Sequence, residues 1–194
     1  MWSAAILAGG QARRFGGRDK SALIVDGRPI VEWQLDVLTT LTDDIMVVGA
    51  PQAPRGARVV ADRVPGCGPL GGLHAALDQA SGNATIVIAC DMPYLSAPFL
   101  AHLLRLTREA DAVVPRTERG YHPLCAAYTR ACLAPAAARL AEGRLKMAEL
   151  FEDVRVRVVT AEEIAPFGSS DRLLTNVNTP AEYRGLEAFH GHQP

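Results

Sequence analysis

Two unbroken apolar runs, "IMVVG" (45–49) and "TIVIA" (85–89), constrain the fold more than anything else in the chain. A strand with one face in water alternates apolar and polar residues, whereas a run that is apolar at every position has both faces covered. Helices must therefore flank these strands on both sides. The intervening sequence supplies them. "PIVEWQLDVLTTL" (29–41) opens with Pro29 in a first-turn position and spaces Ile30, Trp33, Val37 and Leu41 along one face. "LGGLHAALDQA" (70–80) sets Leu70, Leu73 and Leu77 at helical intervals, and "FLAHLLRLTREA" (99–110) reads as a third helix. "SAAIL" (3–7) and "AVVP" (112–115) add strands. Past residue 120 the rhythm loosens: strands at "PLCAAY" (123–128) and "VRVRVVT" (154–160), an alanine-rich helix over 130–142, and a last helix from about Pro180 carrying Tyr183 and Leu186. This alternation predicts a three-layer α/β/α fold around a mostly parallel, Rossmann-like sheet. A chain of 194 residues can bury about 70% of its unfolded surface in one core. With no repeat, low-complexity tract or long linker, residues 1–194 are expected to form a single domain.

Ligands of such sheets bind beyond the carboxyl ends of the strands, where the topology reverses. The first strand runs there into "AGGQARRFGGRDK" (8–20), with four glycines, three arginines and a lysine. This segment packs poorly and must be arranged around something else. Neither familiar phosphate motif fits: Lys20 comes after Asp19 rather than glycine, and the glycines lack G-x-G-x-x-G spacing. The physical logic survives. Glycines let backbone N–H groups approach phosphate oxygens, and Arg14 and Lys20 add full positive charges, one a planar fork and one a compact point. An ordinary solvated surface loop is the alternative. "ACDMP" (89–93) then places Asp91 at the carboxyl end of "TIVIA", on the same sheet edge if the strands are parallel. A carboxylate there suits Mg²⁺ held against a triphosphate, since Mg²⁺ takes one or two carboxylates and leaves its other positions to water and phosphate. A helix cap or turn former ahead of Pro93 is the alternative for Asp91.

A net charge of −1 leaves no global basic field for nucleic acid. No apolar run reaches the roughly 18 residues of a membrane span and no secretory leader is visible, so a cytoplasmic protein is expected. Cys67, Cys90, Cys125 and Cys132 are too scattered for a zinc or redox motif and are expected as reduced thiols. The terminal "HGHQP" is read as a frayed end without metal.

"LAGGQARRFGGRDK" (7–20), "GPLGG" (68–72), "CDMP" (90–93) and "NVNTP" (176–180) occur in an order, and over nearly the whole chain, that resembles the molybdenum cofactor guanylyltransferases, the molybdopterin-guanine dinucleotide biosynthesis protein A family. The first motif alone would indicate only the wider nucleotidyltransferase superfamily. The resemblance implies Mg²⁺-dependent transfer of GMP from GTP to the terminal phosphate of molybdopterin, with release of pyrophosphate. It also implies roles. Leu7, Ala8, Gly9 and Gly10 would line the nucleotide, Lys20 would reach its phosphates, Asp62 at the end of "RVVAD" would meet base or ribose, and Asp91 would hold the metal. Asn176 and Asn178 would face the acceptor or complete the polar shell near the metal. The nucleotide-binding part would span about 1–115 and the acceptor-binding part about 116–190, with other cofactor-assembly proteins as partners delivering the acceptor. Two departures stand out: Phe15 where the family usually has Met, and "AP" after "IMVVG" where many members offer an asparagine to the nucleotide.

Transfer at the α-phosphorus needs positioning and charge neutralisation more than covalent chemistry. Arg14 and Lys20 are the candidates to stabilise the leaving pyrophosphate, with Asp91 as metal holder. No Ser-His-Asp or Cys-His set is apparent, and His74 and His122 are read as structural or acceptor-contacting. Three other readings stand beside this one: a CTP-dependent molybdopterin cytidylyltransferase, a sugar-phosphate or polyol-phosphate nucleotidyltransferase, and a nucleotide-binding module without turnover. The small carboxyl-terminal region argues against a sugar site, and Asp91 argues against mere binding.

Overall fold

The computed structural model describes residues 1–8, 24–25, 27–54, 56–62 and 66–177. The expected last helix with Tyr183 and Leu186, and the terminal histidines, lie outside them. The described chain runs β1 (Trp2–Leu7), β2 (Ile24–Val25), β3 (Arg28–Pro29), α1 (Ile30–Leu38), β4 (Ile45–Val48), β5 (Arg58–Val60), α2 (Gly68–Gln79), β6 (Ala84–Ala89), α3 (Ala97–Leu106), β7 (Ala112–Thr117), β8 (Gly120–Tyr121), β9 (Cys125–Thr129), α4 (Leu133–Ala141), β10 (Val156–Val159), α5 (Ala161–Ile164) and α6 (Ser170–Leu173).

The main sheet has the order β10-β7-β9-β6-β1-β4-β5, with β8 paired to β7; β2 and β3 form a separate antiparallel ribbon. β5, β4, β1 and β6 are parallel neighbours, and β10 is parallel to β7. β9 runs antiparallel to both β6 and β7. The sheet is thus mostly parallel, as the buried runs required, with two reversed strands among the described residues, β8 and β9. Strand order builds outward from β1 through β4 to β5, then returns to the other side of β1 with β6. The topology reverses between β1 and β6, whose last residues, Leu7 and Ala89, are register partners.

Period-2 geometry divides the core into two layers. Ala4, Ile6, Ile45, Val47, Ile86 and Ile88 face one side, against Leu35 and Leu38 of α1 and Phe99 to Leu104 of α3. Ala5, Leu7, Met46, Val48 and Val87 face the other, against Leu70, Leu73 and Leu77 of α2 and Ala136 of α4. The layers are the α/β/α sandwich that the pattern predicted. Local signals explain several boundaries: the Ser96 hydroxyl caps α3 by accepting from Phe99 N–H, and Thr160 and Glu163 close a reciprocal capping box on α5.

Two expectations are corrected. The buried face of α1 is Ile30, Gln34, Leu35 and Leu38, while Trp33 and Val37 are only partly covered. Trp33 turns its Nε1–H to the carbonyl of Val25 at 3.0 Å, which draws its ring toward the ribbon and away from the core. The strand read as "RVVAD" stops at Val60, so Asp62 lies two residues beyond it.

The amino-terminal sheet edge is tied by a polar knot. Ser3 donates to Asp44 at 2.6 Å, Gly82 N–H donates to Ser3 Oγ at 2.8 Å, and Arg58 pairs with Asp44 at 3.0 Å. Thr42 donates to the carbonyl of Trp2 at 2.6 Å. The opposite edge, at the carboxyl ends of β1 and β6, is built for something else.

Candidate active site

β1 and β6 end side by side, and each releases its chain into a chemistry-bearing segment. Ala8 N–H is still held by Val48 O at 2.9 Å, so the glycine-rich stretch begins one residue past an anchored strand end. Gly9, Gly10, Arg14 and Lys20 lie outside the described residues, as does Asn178. Leu7 is buried, and its side chain lies against α2: a Cβ added to Gly72 would stand 3.3 Å from both Leu7 methyl carbons. That close approach explains the last glycine of "GPLGG". Because α2 leads from the end of β5 back to the start of β6, its first turn lies on the same carboxyl edge. Gly68 begins it with φ +61°, which favours glycine, and Pro69 comes next in the first turn. Free N–H groups at such a turn favour an anion.

After β6 the chain makes a tight turn, Ala89 to Met92, closed by Met92 N–H to Ala89 O at 3.3 Å, with Asp91 as its third residue. Cys90 N–H donates to Leu7 O at 3.2 Å, so the turn is stitched to the end of β1. From below, Gln34 Nε2 reaches both ends of the turn, donating to Ala89 O at 2.8 Å and Met92 O at 2.9 Å. From the far side, Val177 N–H donates to Asp91 O at 2.9 Å. Val177 is fully buried in a small cluster with Val25 and Ile30, which fixes Asn176 and Val177 against the Asp91 turn. Asp91 itself is only 6% exposed. It is a buried carboxylate rather than one facing open solvent, and its replacement must respect packing.

Asn176 lines a cavity of about 170 Å³ together with Met92, Tyr121, His122, Leu124 and Cys125. The β7–β8 hairpin and the turn into β9 form its wall: Cys125 N–H bonds to His122 O, and Ala89 N–H bonds to Leu124 O at 2.9 Å, which joins the wall directly to β6. His122 Nε2 sits 2.8 Å from Thr117 Oγ1, which also accepts from Arg119 N–H. Burial, reinforced by the positive charge of Arg119, pushes the imidazole below its ordinary pKa, so it is neutral at pH 7. Asp62 stands apart from this group, at the partly covered end of the β5 segment. The structure thus brings Ala8, Asp91 and Asn176 to one edge.

Sequence reading missed Gln34, although a glutamine inside an otherwise apolar helical stripe was the available signal. It also missed the hairpin that carries His122, because two-residue strands leave no periodicity. The cysteines are free thiols; Cys90, Cys125 and Cys132 are buried, and burial pushes Cys125 and Cys132 up to about 12, so neither is a ready nucleophile. Among the described residues no three His, Cys, Asp or Glu side chains gather as a metal cage. No described helix is long and apolar enough to cross a membrane.

β1 and β6, neighbours at the topological switch of an α/β sheet, end together at the edge where sheets of this class bind their ligands. Residues 4–164 match the MobA-like NTP transferase domain, and the chain belongs to that family. It is a nucleotidyltransferase. It is 32% identical to a molybdenum cofactor guanylyltransferase of Desulfosudis oleivorans, over 94% of this chain and 93% of that one. It is also 32% identical to a probable molybdenum cofactor guanylyltransferase of Methanothermobacter thermautotrophicus, over 94% and 97%. Its fold is that of molybdopterin-guanine dinucleotide biosynthesis protein A from Archaeoglobus fulgidus, with TM-score 0.84, 24% identity and complete coverage of both chains. A more distant likeness, of fold alone, is to 2-C-methyl-D-erythritol 4-phosphate cytidylyltransferase from Thermus thermophilus, with TM-score 0.70, 16% identity and coverage of 96% and 98%.

Enzymes of this class use a divalent metal. The donor chemistry here fits one: a single buried carboxylate, a hard oxygen ligand on a rigid turn, suits a cation that takes its remaining ligands from phosphate and water.

Proposed function

We propose that this chain transfers GMP from GTP to the terminal phosphate of molybdopterin, forming the guanine dinucleotide cofactor and pyrophosphate. The observation that carries the reading is the turn from Ala89 to Met92, which anchors Asp91 at once to the end of β1 and, through Val177, to the "NVNTP" segment. One carboxylate then stands between the two substrates. The names of the relatives supply the identities of donor and acceptor.

In this reading the GTP phosphates lie over Leu7, Ala8, Gly9 and Gly10 and toward the first turn of α2. Lys20 and Arg14 take up charge on the departing pyrophosphate, and Asp62 faces base or ribose. Asp91 holds Mg²⁺, which supplies charge neutralisation across the reacting phosphates when bound. Asn176, Asn178 and the cavity beside His122 receive the acceptor. Its phosphate is already ionised at neutral pH, so the attacking oxygen requires alignment and no general base. The nucleotide half is about 1–115 and the acceptor half about 116–190, within one domain. Such a reaction belongs in the cytoplasm, with the acceptor delivered by other cofactor-assembly proteins.

Parallel calorimetric titrations with GTP and CTP in Mg²⁺, then chromatography of reactions containing molybdopterin, test the assignment. GTP should bind and yield the guanine dinucleotide, while CTP should do neither; the reverse preference would move the chain to cytidylyl transfer.

A further inference from the structure

Gln34 is fully buried, yet it occupies a helix face otherwise made of Ile30, Leu35 and Leu38. A leucine or methionine would fill the same volume without bringing an amide into the core, where an unpaired polar atom is costly. Gln34 carries that cost in part, because its Oε1 has no hydrogen-bond partner among the described residues. Its Nε2 compensates at one place only: Ala89 O at 2.8 Å and Met92 O at 2.9 Å. Both partners are carbonyl oxygens, so the amide must turn its nitrogen toward them. Those carbonyls are the two ends of the turn that carries Asp91. The turn's own closing bond, Met92 N–H to Ala89 O, is long at 3.3 Å. A single side chain on α1 therefore clamps from beneath what the turn holds weakly by itself.

We propose that Gln34 is the positioning residue for Asp91: its amide fixes the two ends of the Ala89–Met92 turn and thereby sets the affinity of the Asp91 carboxylate for its divalent cation. The inference rests on the reading of Asp91 as metal holder and adds the device that holds the holder. Gln34 touches no substrate. Its effect passes through backbone geometry, and supports of this kind around a metal ligand matter at about the tenfold to hundredfold level in metal affinity.

The test uses the whole protein, GTP and Mn²⁺ as a paramagnetic probe, with free Mn²⁺ monitored by electron paramagnetic resonance, beside thermal melting. Gln34→Met keeps volume and removes both donors; it should weaken Mn²⁺ binding by about tenfold while metal-free GTP affinity stays at the parent value. Gln34→Glu keeps shape and makes the proposal testable even if the first variant folds poorly. Above its titration the carboxylate has no proton to give and binding should be weak; as pH falls, the protonated side chain regains one donor and the deficit relative to parent should narrow. In an Asp91→Asn background, Gln34→Met should add no further loss. The proposal is overturned if Gln34→Met, or Gln34→Glu above its titration, melts lower but holds Mn²⁺ within about twofold of parent, or if the loss persists undiminished without the Asp91 carboxylate. If Asp91→Asn alone leaves Mn²⁺ binding intact, the reading of Asp91 fails, and that result is distinct from a failure at Gln34.

Discussion

The backbone N–H of Val177 donates to the carbonyl oxygen of Asp91 at 2.9 Å, across 86 positions of sequence. One hydrogen bond thus joins the segment assigned to the acceptor and the turn assigned to the metal. Any shift of one is felt at the other, which is what a two-substrate transfer requires of its geometry.

Asp91→Asn preserves shape in a buried position, so the variant should melt within a few degrees of the parent. Transfer should nonetheless fall by at least about 10²-fold, since a preorganised charge at the reacting phosphates is lost. Melting and single-turnover rates on the same preparation check both halves. A large drop in melting temperature would make Asp91 structural, and retained activity would remove it as metal holder.

Lys20→Ala should cost roughly 3 kcal/mol of transition-state stabilisation, about 10²-fold in rate, with GTP affinity little changed. Gly10→Val should do the opposite, because a side chain there occupies the space a phosphate oxygen needs. Equilibrium GTP binding and single-turnover rates, measured separately, tell clamp from cradle.

On the acceptor side, Asn176→Ala and His122→Ala should raise the KM for molybdopterin and leave GTP affinity at the parent value, because both line the cavity beyond Met92. His122 also predicts a pH effect. Its folded pKa is depressed below the ordinary 6.5, so the contribution of the neutral imidazole is complete above that value and is lost as pH falls through it. The parent should lose stability from about pH 6.5 downward more steeply than His122→Asn, read by denaturant midpoints across pH.

How the sequence foretold this architecture is clearest at β4 and β6, where apolar residues at every position could mean only a strand covered on both faces. The place of Asp91, just past the end of β6 at the sheet edge, was legible for the same reason. β9 was visible as a strand, but its antiparallel direction was not, because direction is set by the hairpin and the preceding chain path rather than by periodicity. Gln34 was hidden because helical spacing marks which positions face inward, and polar residues are discounted there. Its role depends on two carbonyls 55 and 58 positions away, a relation no local pattern contains.

Gly82 makes a purely structural prediction. A Cβ there would stand 2.6 Å from Trp2 C and 2.8 Å from Ser3 N, both backbone atoms at the knotted edge far from Asp91. Gly82→Ala should therefore destabilise by roughly 1–3 kcal/mol, while the folded protein keeps its transfer rate. Chemical denaturation beside an activity assay checks this.

The central claim, guanylyl transfer at the α-phosphorus, is tested most directly by tracing label from GTP in the presence of molybdopterin and Mg²⁺. Label at the α-phosphate should appear in the pterin product, and label at the γ-phosphate should leave quantitatively in pyrophosphate. Recovery of the α label only in free GMP or GDP, or arrival of the γ label on the pterin, would contradict it.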